Sequence, residues 1–427
     1  MSVHAGSNPS TPAKAAPIGR LMRIAAAIGP GIVVAFADTE AGSITTASVS
    51  GAQFGMKLVL LQLLLIIPLF IVQEMTVRLG TVTGKGHAQL IRERYGLPWA
   101  LVSLSTMLIT NIAALITEFI GIAGVALIFN IPERPLVAFA AVLLIAVVLT
   151  GSYRRAELAA IALCLFELLF IPAAFAAHPA AASIIRDGIF GSQPLADHDY
   201  LLLVAGNIGA VIMPWMIFYQ QSATVDKGLT EKDLPLARLD TAIGAVATQA
   251  IMIAIIIATA ATLYVHRVAV SDAAHAALAL MPFAGRYATI AFGAGLAGAS
   301  LLGAFVVSLA TAWAFGEAFR WPCSLNQGCM EAKRFYGLYV AGIVVAAAVV
   351  MVPGLPLIKV TLYVEAFNAF VLPIVLGFLL VLVNDGAILG ARRNGVLGNA
   401  IAFSLSGVCV SLGLWMLYQT LIGQAGT

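Results

Sequence analysis

The sequence predicts an all-α membrane protein of eleven transmembrane helices, built as two inverted halves of five with one helix added. Three observations carry this. Apolar residues make up 61% of the 427 residues and charged residues only 10%, whereas soluble domains are about 25% charged. The apolar residues gather into eleven runs separated by mostly short polar connections. The first and sixth runs are interrupted at matching positions. Lying five spans apart, they enter the membrane from opposite sides, as in secondary transporters built from inverted repeats.

The predicted spans cover residues 24–54, 58–79, 99–129, 136–150, 158–177, 200–222, 241–265, 287–319, 335–352, 362–383 and 396–421. The long connections, 177–200 and 265–287, are expected outside. With the N-terminus in the cytoplasm, 17 of the 23 Lys and Arg residues fall on inner segments and 6 on outer ones, as the positive-inside rule requires. An odd number of spans then puts the C-terminus outside. Residues 1–23 form a polar tail ending in Arg20 and Arg23 without the pattern of a signal peptide. They read as a disordered cytoplasmic segment. Residues 24–177 are the first repeat, 200–383 the second and 396–421 the eleventh helix.

The net charge of +3 reflects inner-loop basic residues and gives no surface for nucleic acid. The partner expected from composition is the lipid bilayer, and the membrane is the plasma (inner) membrane. A monomer is expected. Cys164 and Cys409 lie in apolar spans as packing residues. Cys323 and Cys329 share a cytoplasmic loop, where free thiols are expected.

In the first span, Asp38 and Glu40 sit mid-run within residues 36–43. Each acid at bilayer depth costs about 2.5–3.5 kcal/mol on insertion scales. As one helix the run would be about 46 Å long against a core of about 30 Å. Ala41-Gly42-Ser43 after the second acid favours a break there, because Gly and Ser weaken a helix interior. In the sixth span, Gly206-Asn-Ile-Gly209 is followed by Met213-Pro214-Trp215, and Pro214 removes a helical hydrogen bond. A broken first helix exposes carbonyls around Ala35–Ala37 that favour a cation. Asp38 and Glu40 add hard oxygens, and carbonyls from Gly209 to Met213 complete a shell. Met213 either adds a soft thioether or serves as packing.

Further acids lie in spans: Glu118, Glu167 and Glu365, with Asn111, Gln249 and Asn368 as polar neighbours. Glu118 and Glu365 either line an ion or proton path or are buried hydrogen-bonding groups. Glu74 and Arg78, four apart, read as a structural ion pair. No span interior contains a histidine, so a proton relay here would use carboxylates. The spans also lack His-Glu-x-x-His and Gly-x-Ser-x-Gly patterns, so no enzyme is predicted.

These residues resemble the NRAMP divalent-metal transporter family. The resemblance rests on Gly29-Pro-Gly31, the acid ten positions after Pro30, Gly51-Ala-Gln-Phe-Gly55, Arg78-Leu-Gly-Thr-Val-Thr-Gly-Lys85, Glu118-Phe-Ile-Gly121 and residues 206–214. It implies a LeuT-type fold and transport of a divalent cation, with no resident cofactor. It places Glu40 at the family's metal-ligand aspartate, Ser43 at its asparagine and Met213 at its methionine. Trp215 and Gln220 stand at two pocket histidines, Leu115 at an acid linked to proton movement, and Glu365 at a glutamine. The ninth span lacks the family's arginine. These departures resemble the NRAMP-related magnesium branch, so magnesium or manganese with weak or no proton coupling is expected. The alternatives are a proton-coupled manganese or iron transporter and a sodium-coupled organic-solute transporter of the same fold.

Overall fold

The computed structural model describes residues 29–352 and 357–425, with the backbone alone at 357–360, 362, 416–417 and 419–425. The expected tail at 1–23, the start of the first span at 24 and the outer Lys359 side chain lie outside the described residues and atoms.

The chain is helical throughout the described residues. The principal helices are α1 (Pro30–Ala37), α2 (Ala41–Phe54), α3 (Val59–Thr83), α4 (His87–Tyr95), α5 (Leu97–Phe129), α6 (Glu133–Leu149), α7 (Tyr153–Glu167) and α8 (Phe170–Ala176). The second half continues with α9 (His198–Val211), α10 (Pro214–Asp226), α11 (Leu234–Thr259), α12 (Ala273–Phe319), α13 (Lys333–Val350), α14 (Leu357–Asn384) and α15 (Val396–Ala425).

Eleven crossings result, with the first divided between α1 and α2 and the sixth between α9 and α10. Nine stretches among the described residues are individually long and apolar enough to cross a membrane. One of them, Ala41–Thr83, holds parts of two crossings joined by the tight turn Gly55–Leu58. The fourth crossing, Glu133–Leu149, is a shorter helix of 17 residues.

The first break lies earlier than the glycine and serine suggest. Asp38 keeps helical torsions, and Glu40 turns extended (φ −79°, ψ 177°). Gly42 and Ser43 stand in the first turn of α2, where weak helix formers are tolerated. The Glu40 carboxylate accepts the Ser43 N–H at 3.0 Å, the usual role of an acidic N-cap. The sixth-span break is set by Ile212 (φ −128°, ψ 87°) and Met213 (φ −91°, ψ 146°), with Pro214 at the first helical position.

The other differences lie in the connections. Residues 265–287, read as an outer loop, are helical from Ala273, because α12 begins on an Asp272 cap and bends at Gly285. Pro282 and Gly285 interrupt the apolar pattern that would have announced it. The fifth span breaks after Glu167, where Pro172 cannot donate to the Leu168 carbonyl. Helix α4 was not foreseen, being too short and polar for a span.

The core is a bundle in which α12 packs along α5, α9 along α14, and α11 against α1, α2 and α3. Close approach sets one glycine. A Cβ on Gly209 would lie 2.8 Å from the Ala369 nitrogen and overlap the Glu365 carbonyl, so α9 meets α14 backbone to backbone.

Candidate metal site at the first helix break

The break gathers buried carboxylates from four spans and sorts them into two sets. Glu40, Glu118 and Glu365 form the first, and each is fully buried. Glu118 and Glu365 both lie within hydrogen-bonding reach of Glu40. The Ala41 N–H goes to Glu118 Oε2 at 3.3 Å, in place of the helical bond back to Ala37. Thr117 Oγ1 donates to Glu40 Oε2 at 3.4 Å, and Asn368 Nδ2 donates to Glu365 Oε2 at 3.1 Å. Gly42 leaves the room for this meeting: a Cβ there would lie 2.5 Å from Glu40 Oε1 and 3.0 Å from Glu365 Cδ. Glu118 Oε1 and Glu365 Oε1 have no hydrogen-bond partner among the described groups.

Asp38 and Glu167 form the second set. Asp38 ends α1 and accepts Gln73 Nε2 on Oδ2 at 3.2 Å. Its Oδ1 and both Glu167 oxygens lack partners among the described residues.

The expected neighbours divide likewise. Ser43 ties the two broken helices together, its hydroxyl donating to the Ala210 carbonyl at 2.9 Å. Ala37 is buried at the end of α1. Of the nearby turn carbonyls, Phe36 O already accepts Thr39 N–H at 2.8 Å. Met213 is fully buried, and its sulfur accepts a hydrogen bond from Trp215 Nε1 at 2.8 Å. Gln220 sits deeper in α10, accepting from Thr76 Oγ1 at 2.9 Å and donating to Thr241 Oγ1 at 3.1 Å. Among the described residues no three His, Cys, Asp or Glu side chains stand in ready-made metal geometry. A cation would therefore have to draw the first set together.

A cavity of about 620 Å³ is lined by Ala41 and Thr117, which hydrogen-bond to Glu118 and Glu40 of the first set. Its floor is Ala41, Thr117 and Gly121, and its rim includes Glu133, Asp272 and His275 at the ends expected outside. Neither Trp215 nor Gln220 borders it. On the opposite side, polar contacts tie the helices together. Asp240 Oδ2 accepts the Gly29 and Gly31 N–H groups at 3.1 and 2.7 Å, fixing the start of α1. Lys227 pairs with Glu157 at 2.6 Å. Glu317 accepts from Ser222 Oγ at 2.5 Å and from the Ala88 N–H at 3.1 Å.

Sequence reasoning passed over Thr117, Gln73, Asp240 and Glu317. Acids near the ends of apolar runs were the available signal for the last two. Glu74 does pair with Arg78 at 3.1 Å, and also with Arg238 at 2.7 Å. Outside the spans, His87 is fully buried with Nδ1 3.1 Å from Gln221 Oε1. Burial pushes its imidazole down to about 4, so it is neutral at physiological pH.

Eleven crossings among the described residues, with the first and sixth broken part-way along, define an integral membrane transporter of the LeuT-type fold rather than an enzyme. The chain belongs to the NRAMP family: the profile described as natural resistance-associated macrophage protein-like matches residues 31–419. A relative in Ralstonia nicotianae, named divalent metal cation transporter MntH, is 27% identical, covering 95% of this chain and 92% of its own. Another of that name in Erwinia tasmaniensis is 28% identical, covering 67% of this chain and 70% of its own. The fold is that of the Eremococcus coleocola manganese transporter, with a TM-score of 0.74 at 18% identity over 98% of this chain and 90% of that one. It is also shared with MhsT in complex with L-phenylalanine, with a TM-score of 0.61 at 17% identity over 95% of this chain and 98% of that one.

Proposed function

We propose that this protein carries a divalent metal cation, magnesium or manganese, into the cytoplasm by alternating access, with weak or no proton coupling. The observation that carries the reading is the convergence of Glu40, Glu118 and Glu365 behind Ala41 and Thr117, two residues of the cavity wall that hydrogen-bond to Glu118 and Glu40. Buried like charges repel, and a cation among them relieves both the repulsion and the lost hydration. The ion enters past Glu133 and Asp272, sheds part of its water, and is held by Glu40 with Glu118 and Glu365. Ser43 and the backbone at Ala37 and Gly209–Met213 stand nearby. Release follows when the start of α1 leaves Asp240 and the cytoplasmic side opens. No resident cofactor is required, and one chain in the bilayer suffices. In this reading residues 24–177 and 200–383 rock as inverted repeats beside the helix at 396–421. The N-terminus lies in the cytoplasm, the C-terminus outside, and the membrane is the plasma (inner) membrane.

Two features favour magnesium and the related magnesium branch. The clustered donors are all oxygen, which suits hard cations, and the Met213 sulfur is occupied by Trp215. Manganese, proton-coupled, is the second reading, favoured by the names of the relatives and by Met213 remaining in place. Uptake of magnesium, manganese and calcium into proteoliposomes, with and without a pH gradient, tests both. Divalent uptake indifferent to the gradient is expected. Manganese uptake accompanied by stoichiometric proton entry would replace the first reading with the second.

A further inference from the structure

The second acidic set has a different setting. Glu167 ends α7 and Asp38 ends α1, and these two helices pack against each other. Helix C-termini carry partial negative charge from unsatisfied carbonyls, so two such ends add to two carboxylates. Glu157 of α7 lies against Gly29 at the start of α1, and the two helices pack together from there. Among the described residues no ion pair includes Asp38 or Glu167.

The unmet oxygens define what is missing. Among the described residues, Asp38 Oδ1, Glu167 Oε1 and Glu167 Oε2 lack hydrogen-bond partners, and so does Gln73 Oε1. Gln73 is itself fully buried, and its amide nitrogen is already directed onto Asp38. Three side chains from the first, second and fifth spans thus present four open oxygens, and the Gln73 amide nitrogen is their one donor, already used on Asp38. A buried polar atom without a partner costs about 1–3 kcal/mol, and more when charged. Four together on an otherwise closed bundle call for a cation.

We propose that Asp38, Glu167 and Gln73 form a second cation site, on the cytoplasmic side of the first helix break, that takes a hard divalent cation. Two negative charges match one divalent ion, and the all-oxygen donor set matches magnesium, manganese or calcium. Asp38 and Glu40 are two residues apart, so two divalent ions would repel strongly across them. The sites therefore fill in turn, and an ion passes from the Glu40 set to the Asp38 set before release. The order of filling rests on the proposed function, whereas the Asp38 site itself does not.

The test is manganese binding to the purified full chain in detergent, by calorimetry or by Mn²⁺ paramagnetic resonance. The background carries Glu40→Gln, Glu118→Gln and Glu365→Gln, which removes the charges of the first set. One manganese ion is expected to remain bound. Adding Glu167→Gln is expected to weaken it at least about tenfold, as loss of ligand charge does, and Glu167→Asp to weaken it less. Loss of all binding in the triple variant overturns the proposal, as does residual binding unchanged by Glu167→Gln. Matching elution volumes of the variants on size exclusion separate lost binding from lost fold.

Discussion

The two broken helices interrupt the bilayer in the same way and fill the gap with opposite chemistry. At the first break stand Asp38, Thr39 and Glu40; at the second, Ile212 and Met213, closed by Pro214. Both breaks free backbone groups, yet only the first brings charge. The second brings close packing: Gly209 against the backbone of the tenth span, and Met213 held by Trp215. Broken helices thus supply room and orientation, while only one break carries the acidic side chains that the proposed function assigns to the cation.

Substitutions at the two breaks should accordingly differ. The largest loss is expected for Glu40→Ala, which removes the acid that both partners approach. Removing one member of a buried charged set costs roughly 3 kcal/mol, or about a hundredfold in uptake. Uptake of the wild-type magnitude in vesicles containing Glu40→Ala would remove the basis for contrasting the breaks. Glu365→Gln keeps an oxygen donor and loses one charge, so a drop of about tenfold in apparent affinity is expected, read from initial rates against metal concentration.

At the second break, Met213→Leu nearly conserves volume but strips Trp215 of its acceptor. We expect the thermal unfolding midpoint to fall, reflecting about 1–3 kcal/mol for a buried unpaired donor. Magnesium uptake should stay within about threefold, since such swaps disturb packing little. A collapse of magnesium uptake in Met213→Leu would make the sulfur a ligand and erase the contrast.

The smallest effect on transport lies away from both breaks, in a residue that acts on stability alone. His87 has a folded pKa of about 4, below its ordinary 6.5. The unfolded chain therefore binds the extra proton first, and stability is full above pH 6.5 and falls as pH drops toward 4. The whole shift corresponds to about 3 kcal/mol. Unfolding of His87→Gln, followed from pH 7 to 4, should show a shallower loss than the wild type; identical slopes would place the acid sensitivity elsewhere.

Much of this was legible in the chain. Apolar runs are long and uncharged, so the crossings stand out, and Pro214 and the paired acids mark both interruptions. The site was legible only in part. Asp38 and Glu40 are two residues apart, and the extended torsion at Glu40, which sends them to different neighbours, leaves no mark in residue spacing. The meeting of Glu118 and Glu365 with Glu40 depends on how the third and tenth spans lean against the first. Gln73 gave no sign because a glutamine in an apolar helix has many uses. The helical start of α12 was hidden by Pro282 and Gly285, which interrupt the apolar pattern without ending the helix.

The central claim is that carboxylates of the first break hold the transported ion. Anomalous diffraction from crystals soaked in manganese tests it most directly. A peak is expected within about 2.3 Å of a Glu40 oxygen, with Glu118 or Glu365 on its far side and Met213 sulfur outside bonding distance. A peak bonded to the Met213 sulfur, with Glu118 and Glu365 turned away, would contradict it.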